Sequence, residues 1–94
     1  MKENRGSRRY DVDIEVELGG RRARVKNLSL GGMFILTDEK LEVGARVQLA
    51  FAIPGQRIET AAIVRWRDGT GTGVQFDGLR ARDVWALGKY FEQL

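Results

Sequence analysis

Two short stretches carry the residue types best suited to holding a ligand: Arg5-Gly-Ser-Arg-Arg9 and Asn27-Leu-Ser-Leu-Gly-Gly32. Arg5, Arg8 and Arg9 stand together just ahead of the first apolar alternation. Clustered guanidinium groups favour an anionic ligand, while a net charge of only +3 over 94 residues argues against a long polyanion. Asn27 and Ser29 add short polar side chains, and Gly31-Gly32 permits positive φ or the close approach of a ligand to the backbone. Catalysis is poorly provided for. The chain has no cysteine and no histidine, so thiolate chemistry, the commonest general base and the usual metal ligands are missing. Asp38 and Glu39 read as a polar loop, and no nucleophile–base set stands out. The expectation is a binding protein with no cofactor and no metal, not an enzyme.

The elements that must position these groups are mostly strands. Val12, Ile14, Val16 and Leu18 alternate with Asp11, Asp13, Glu15 and Glu17, the pattern of a strand with one buried face. Gly19-Gly20 suits a two-residue hairpin loop. That loop sets Glu17 opposite Arg22, Glu15 opposite Arg24 and Asp13 opposite Lys26 on the outside, with Val16 opposite Ala23 and Ile14 opposite Val25 inside. Charge and burial choose the same register. Arg22, Arg24 and Lys26 therefore read as solvated partners of the acidic strand, each pair contributing about 0.2–1 kcal/mol, and not as ligand contacts. After Val25 the inward parity shifts by one around Lys26-Asn27, as at a β-bulge, which commonly re-aims side chains beside a functional site. Beyond the slip, Leu28 and Leu30 are expected to point inward and Asn27 and Ser29 outward.

Met33 to Leu36, Val47 to Ile53, Ile58 to Trp66 and Gly73 to Phe76 supply four further strands, with Pro54-Gly55 marking a turn. Six strands with short loops imply a closed or nearly closed antiparallel barrel, which removes exposed edges. The tail changes period: Val84, Leu87, Phe91 and Leu94 recur at helical spacing, giving an amphipathic helix over about residues 79–94 that packs on the barrel. Trp66 and Trp85 are expected in core or lid packing. One domain covers residues 10–94, preceded by a flexible basic arm at residues 1–9. The longest apolar run, Leu49 to Ile53, is far shorter than the ~20 residues of a membrane span, and residues 1–9 carry no apolar leader segment. A soluble, cytoplasmic protein with no membrane insertion is expected.

In type, spacing and order, the two polar stretches resemble the signature of the PilZ domain family: Arg-x-x-x-Arg entering a barrel, then (Asp/Asn)-x-Ser-x-x-Gly some two dozen residues later. Arg5 and Arg9 match the first part, and Asn27, Ser29 and Gly32 the second. The strand pattern, the Gly-Val-Gln-Phe at 73–76 and the final helix are similar to the family's too. The resemblance implies a six-stranded antiparallel PilZ-type barrel that binds cyclic di-GMP, a bacterial second messenger. It assigns Arg5 and Arg9 to the phosphates and guanine O6/N7, Asn27 to a guanine edge, Ser29 to ligand or arm, and Gly32 to clearance. Arg8 is an auxiliary phosphate contact or a solvated charge. Where many members carry a further arginine, this chain has Asn4, leaving fewer guanidinium planes for an intercalated nucleotide dimer; the protein is expected to be a monomer or a ligand-linked dimer. Ligand would order the arm and signal to a protein partner in trans.

Two other readings compete. A ligand-free PilZ-like interaction module would bind only protein, and the intact motif arginines speak against it. A small nucleic-acid-binding barrel would display aromatics on an exposed face; the aromatics here are expected mostly on the inward parity, and no nucleic acid polymer is expected as a partner.

Overall fold

The computed structural model describes residues 8–94. Six strands run β1 (Tyr10–Leu18), β2 (Arg21–Leu28), β3 (Gly32–Leu36), β4 (Arg46–Ile53), β5 (Gln56–Arg67) and β6 (Gly71–Asp77), followed by helix α1 (Ala81–Glu92). All pairings are antiparallel and close in the order β1-β2-β3-β6-β5-β4. The closure is narrow, because β1 meets β4 only through Val16–Phe51, Glu17–Ala50 and Leu18–Leu49.

The first hairpin forms in the register its charges dictate. Gly19 and Gly20 both take positive φ, 60° and 90°, as a twist-matched two-residue turn requires. Glu17 pairs with Arg22, Glu15 with Arg24, Val16 with Ala23 and Ile14 with Val25. The third outward pair is different. The ladder slips by one residue between Asp11 and Ile14, so the Asp13 carboxylate accepts from Arg24 and Lys26 is released from the acidic strand.

Inward residues fill the barrel: Val16, Val25, Leu28, Met33, Ile35, Ile58, Ala62 and Val64 are at most 2% exposed. α1 adds Leu87 and Phe91, and Phe91 stacks on Tyr10 with ring centroids 4.3 Å apart. Asp83, fully buried, fixes the helix start by accepting from the Arg80 backbone N–H at 3.1 Å and from Gln56 Nε2 of β5 at 3.3 Å. The helix is narrower in its contact than the apolar spacing predicts. Val84 and Trp85 are exposed, because the stripe through Asp83, Leu87 and Phe91, flanked by Ala86 and Tyr90, faces the barrel; Leu94, also exposed, lies past the helix end.

One buried group is unpaired: the Thr72 hydroxyl has no hydrogen-bond partner among the described residues. Thr72→Val removes that unmet group while keeping the branched shape, and should stabilise the fold by about 1 kcal/mol, raising Tm by about 4–8 °C. A lower Tm in thermal denaturation would show the hydroxyl to be satisfied in solution.

Candidate functional site

Two bulges on neighbouring parts of the barrel wall build a cleft on its outer surface. In β2, Val25 pairs with Ile35 and Asn27 with Phe34, leaving Lys26 as the extra residue against β3. In β5, Val64 pairs with Val74 and Trp66 with Gly73, leaving Arg65 as the extra residue against β6. Each insertion puts two consecutive side chains on the outside where strict alternation allows one: Lys26 with Asn27, and Arg65 with Trp66. The first slip falls where the sequence marks it. The second is a correction, since alternation through Ile58, Thr60, Ala62 and Val64 would carry Trp66 into the core, whereas it is 45% exposed.

Trp66 lies across Gly73 and stacks on the outward face of Phe34, with centroids 4.9 Å apart and planes 20° from parallel. A Cβ at position 73 would come within 2.3 Å of the indole Nε1, so glycine is the condition for the ring to lie flat. Phe34 is thereby 5% exposed although it faces away from the barrel core. The expectation that the aromatics fall mostly on the inward parity does not extend to this pair, and Trp85, 67% exposed, is likewise no core or lid residue.

Arg9 crosses to this wall, its Nη1 donating to Asn27 Oδ1 at 2.7 Å. The second half of the first motif and the first residue of the second are thus in direct contact. Arg8 takes another direction, over the Tyr10 ring at 5.1 Å from its centroid, a cation–π placement. Arg5 lies outside the described residues, as does residues 1–7 of the expected arm.

Ser29 departs from its expected outward orientation. It is 2% exposed, and its Oγ accepts from the Gly31 and Gly32 N–H groups at 3.1 and 3.2 Å and lies 3.3 Å from the Gly32 carbonyl to which it donates. With Ser29 N–H also donating to the Gly32 carbonyl at 2.9 Å, the residue ties the β2–β3 turn together. Tightening that turn turns Leu30 outward, to 37% exposure, where the parity predicted burial. Gly32 is dictated by strand approach: a Cβ there would meet the Val74 carbonyl oxygen at 2.0 Å.

Arg9, Ser29, Gly31, Gly32, Arg65, Trp66 and Gln75 are among the residues lining a cleft of about 310 Å³. Arg65 Nε donates to Gln75 Oε1 at 2.7 Å, which steadies that guanidinium at the rim and leaves its other donors without a partner among the described residues. Arg65 and Trp66 were not singled out for ligand contact by sequence; the one signal for them is Gly73 opposite a tryptophan. The arrangement offers two oriented guanidinium groups, an aromatic face and backbone close to the surface, a combination suited to a planar base carrying phosphate. Among the described residues no group of three or more acidic side chains could hold a metal ion, and no helix is long and apolar enough to cross a membrane.

The described residues thus form a closed six-stranded barrel with a polar cleft on the outside of its wall. Residues 2–93 match the PilZ domain family, and the chain belongs to it. Among solved structures it is similar to the Bacillus subtilis inhibitor of motility MotI/DgrA, with 22% identity and a TM-score of 0.85 over 98% of this chain and 51% of that one. The chain thus spans about half the length of that protein. An uncharacterized Legionella protein is similar at 12% identity and a TM-score of 0.65, covering 90% of each chain. No curated protein shows a significant sequence match.

Proposed function

We propose that this PilZ domain is a cyclic di-GMP receptor without catalytic activity, in which Arg5, Arg9, Asn27, Ser29 and Gly32 form the binding site. The observation that carries the reading is the Arg9–Asn27 hydrogen bond at 2.7 Å, which joins the two motifs at the edge of the outer cleft. Asn27 Oδ1 is engaged by Arg9, so Asn27 acts by aiming that guanidinium and offers its amide N–H groups to the ligand. Arg9 keeps further donors for a phosphate. Trp66 gives a guanine a stacking face, and Arg65 a second cation. Ser29 holds the turn whose Gly31 lines the cleft, and Arg8, placed over the Tyr10 ring, is the solvated charge and not a phosphate contact.

Binding would draw Arg5 to the same surface, and arm plus nucleotide would form the face read by a protein partner in trans. Isothermal calorimetry should show binding of cyclic di-GMP in preference to GTP and cyclic di-AMP. No heat at high micromolar ligand, with no thermal shift, would sink the reading. Ligand saturation should also slow limited trypsin at Arg5, Arg8 and Arg9. Equal cleavage rates with and without ligand would mean that this segment does not close on the nucleotide.

A further inference from the structure

The cleft continues past Trp66 into a second hollow of about 210 Å³, lined by Arg9, Lys26, Asn27, Trp66, Asp68 and Thr70 among others. Trp66 and Arg9 line both parts, so they stand as the partition between two lobes. The second lobe has a different chemistry, an ammonium and a carboxylate in one small space. Lys26 is there because the slip in the β1–β2 ladder leaves Asp13 to Arg24 and the β2 bulge makes Lys26 the extra outward residue. Asp68 is held by its own turn: Oδ1 accepts from the Thr70 N–H at 2.7 Å, the Thr70 hydroxyl at 2.8 Å and the Gly71 N–H at 3.1 Å. Those bonds, the Thr70 backbone N–H first, hold its carboxyl below the usual range, and Lys26 adds to the effect. The carboxylate is therefore charged and fixed at neutral pH, with Oδ2 unpartnered among the described residues and directed to accept.

We propose that this hollow is a second base-recognition lobe that takes the Watson–Crick edge of a guanine, Asp68 Oδ2 accepting from N1–H and N2–H and Lys26 Nζ donating to O6. Adenine reverses the required polarity at position 6, presenting an amino donor to the lysine, and has no N–H at position 1 for the carboxylate. The lobe thus supplies discrimination between a ligand that brings a guanine to it and one that offers only adenine. The inference rests on the reading that the chain binds cyclic di-GMP, whose second base would lie here while the first occupies the larger lobe on the far side of Trp66.

Calorimetric titration of the parent, Asp68→Asn and Lys26→Met with cyclic di-GMP and with cyclic di-AMP tests it. Asp68→Asn keeps an Oδ1 acceptor for the turn, and Lys26→Met keeps the stem, so at least one variant reports on a folded protein. Each should lose about 5- to 150-fold in affinity for cyclic di-GMP, and the parent's preference over cyclic di-AMP should narrow by the same factor. Parent-like affinity and preference in both variants would overturn the lobe while leaving the receptor reading intact. Absence of any binding by the parent would overturn both.

Discussion

Arg9→Ala should weaken cyclic di-GMP binding by about 10- to 150-fold, equivalent to about 1.5–3 kcal/mol for charge-assisted hydrogen bonds. The free protein should melt at nearly the parent temperature. Arg9 is exposed, and its bond to Asn27 joins two solvent-accessible side chains, the kind of contact that adds little to stability. For the ligand the same contact matters more, because it fixes the direction of a fork that would otherwise have to be ordered on binding. Arg9→Lys should fall between parent and alanine variant: it keeps the charge but cannot bond Asn27 and present a planar bidentate face together. Calorimetry on the three proteins decides the matter. Parent-like affinity in Arg9→Ala would remove Arg9 from the site.

Leu28→Ala should destabilise the fold by about 2–5 kcal/mol, a fall of at least about 8 °C in Tm. Leu28 is fully buried, paired with Tyr10 on one side and Met33 on the other, and its loss leaves a cavity where β1, β2 and β3 meet. Its neighbour gives the control. Ser29→Ala deprives the Gly31 and Gly32 N–H groups of their side-chain acceptor, and should cost about 1–3 kcal/mol. The two variants should separate in function: below its melting range Leu28→Ala binds nucleotide like the parent, whereas Ser29→Ala, with a loosened turn beside the cleft, binds more weakly. A Leu28→Ala protein melting with the parent would place that side chain outside the core.

Most of the barrel was legible because β1 and β2 state their register twice, in apolar pairs and in opposite charges. The slip at Lys26-Asn27 was legible because polarity broke step there. The β5 slip was not, since Trp66 continues an apolar alternation and nothing local announces that Arg65 is extra. Leu30 misled for a related reason: an apolar residue in a tight turn follows the turn's geometry rather than strand parity, and the Ser29 bonds set that geometry. Trp85 misled because a twelve-residue helix against a narrow barrel buries only one stripe. In the site, the Asn27 position was legible from its motif, but its engagement by Arg9 depends on a contact across 18 residues that spacing alone does not specify.

The two bulges also bear on how such a surface is gained or lost. Removing Lys26 or Arg65 would return β2 or β5 to unbroken alternation, leaving Asn27 or Trp66 as the single outward residue at that step, without its charged neighbour and without the local bend that sets its present direction. A single-codon insertion or deletion thus adds or removes one cation at the cleft and re-aims its neighbour in the same step. Substitution scans, which hold chain length fixed, would never sample that step. Comparisons among members of this fold should therefore read one-residue length differences in β2 and β5 as changes of recognition, not as neutral drift in strand length.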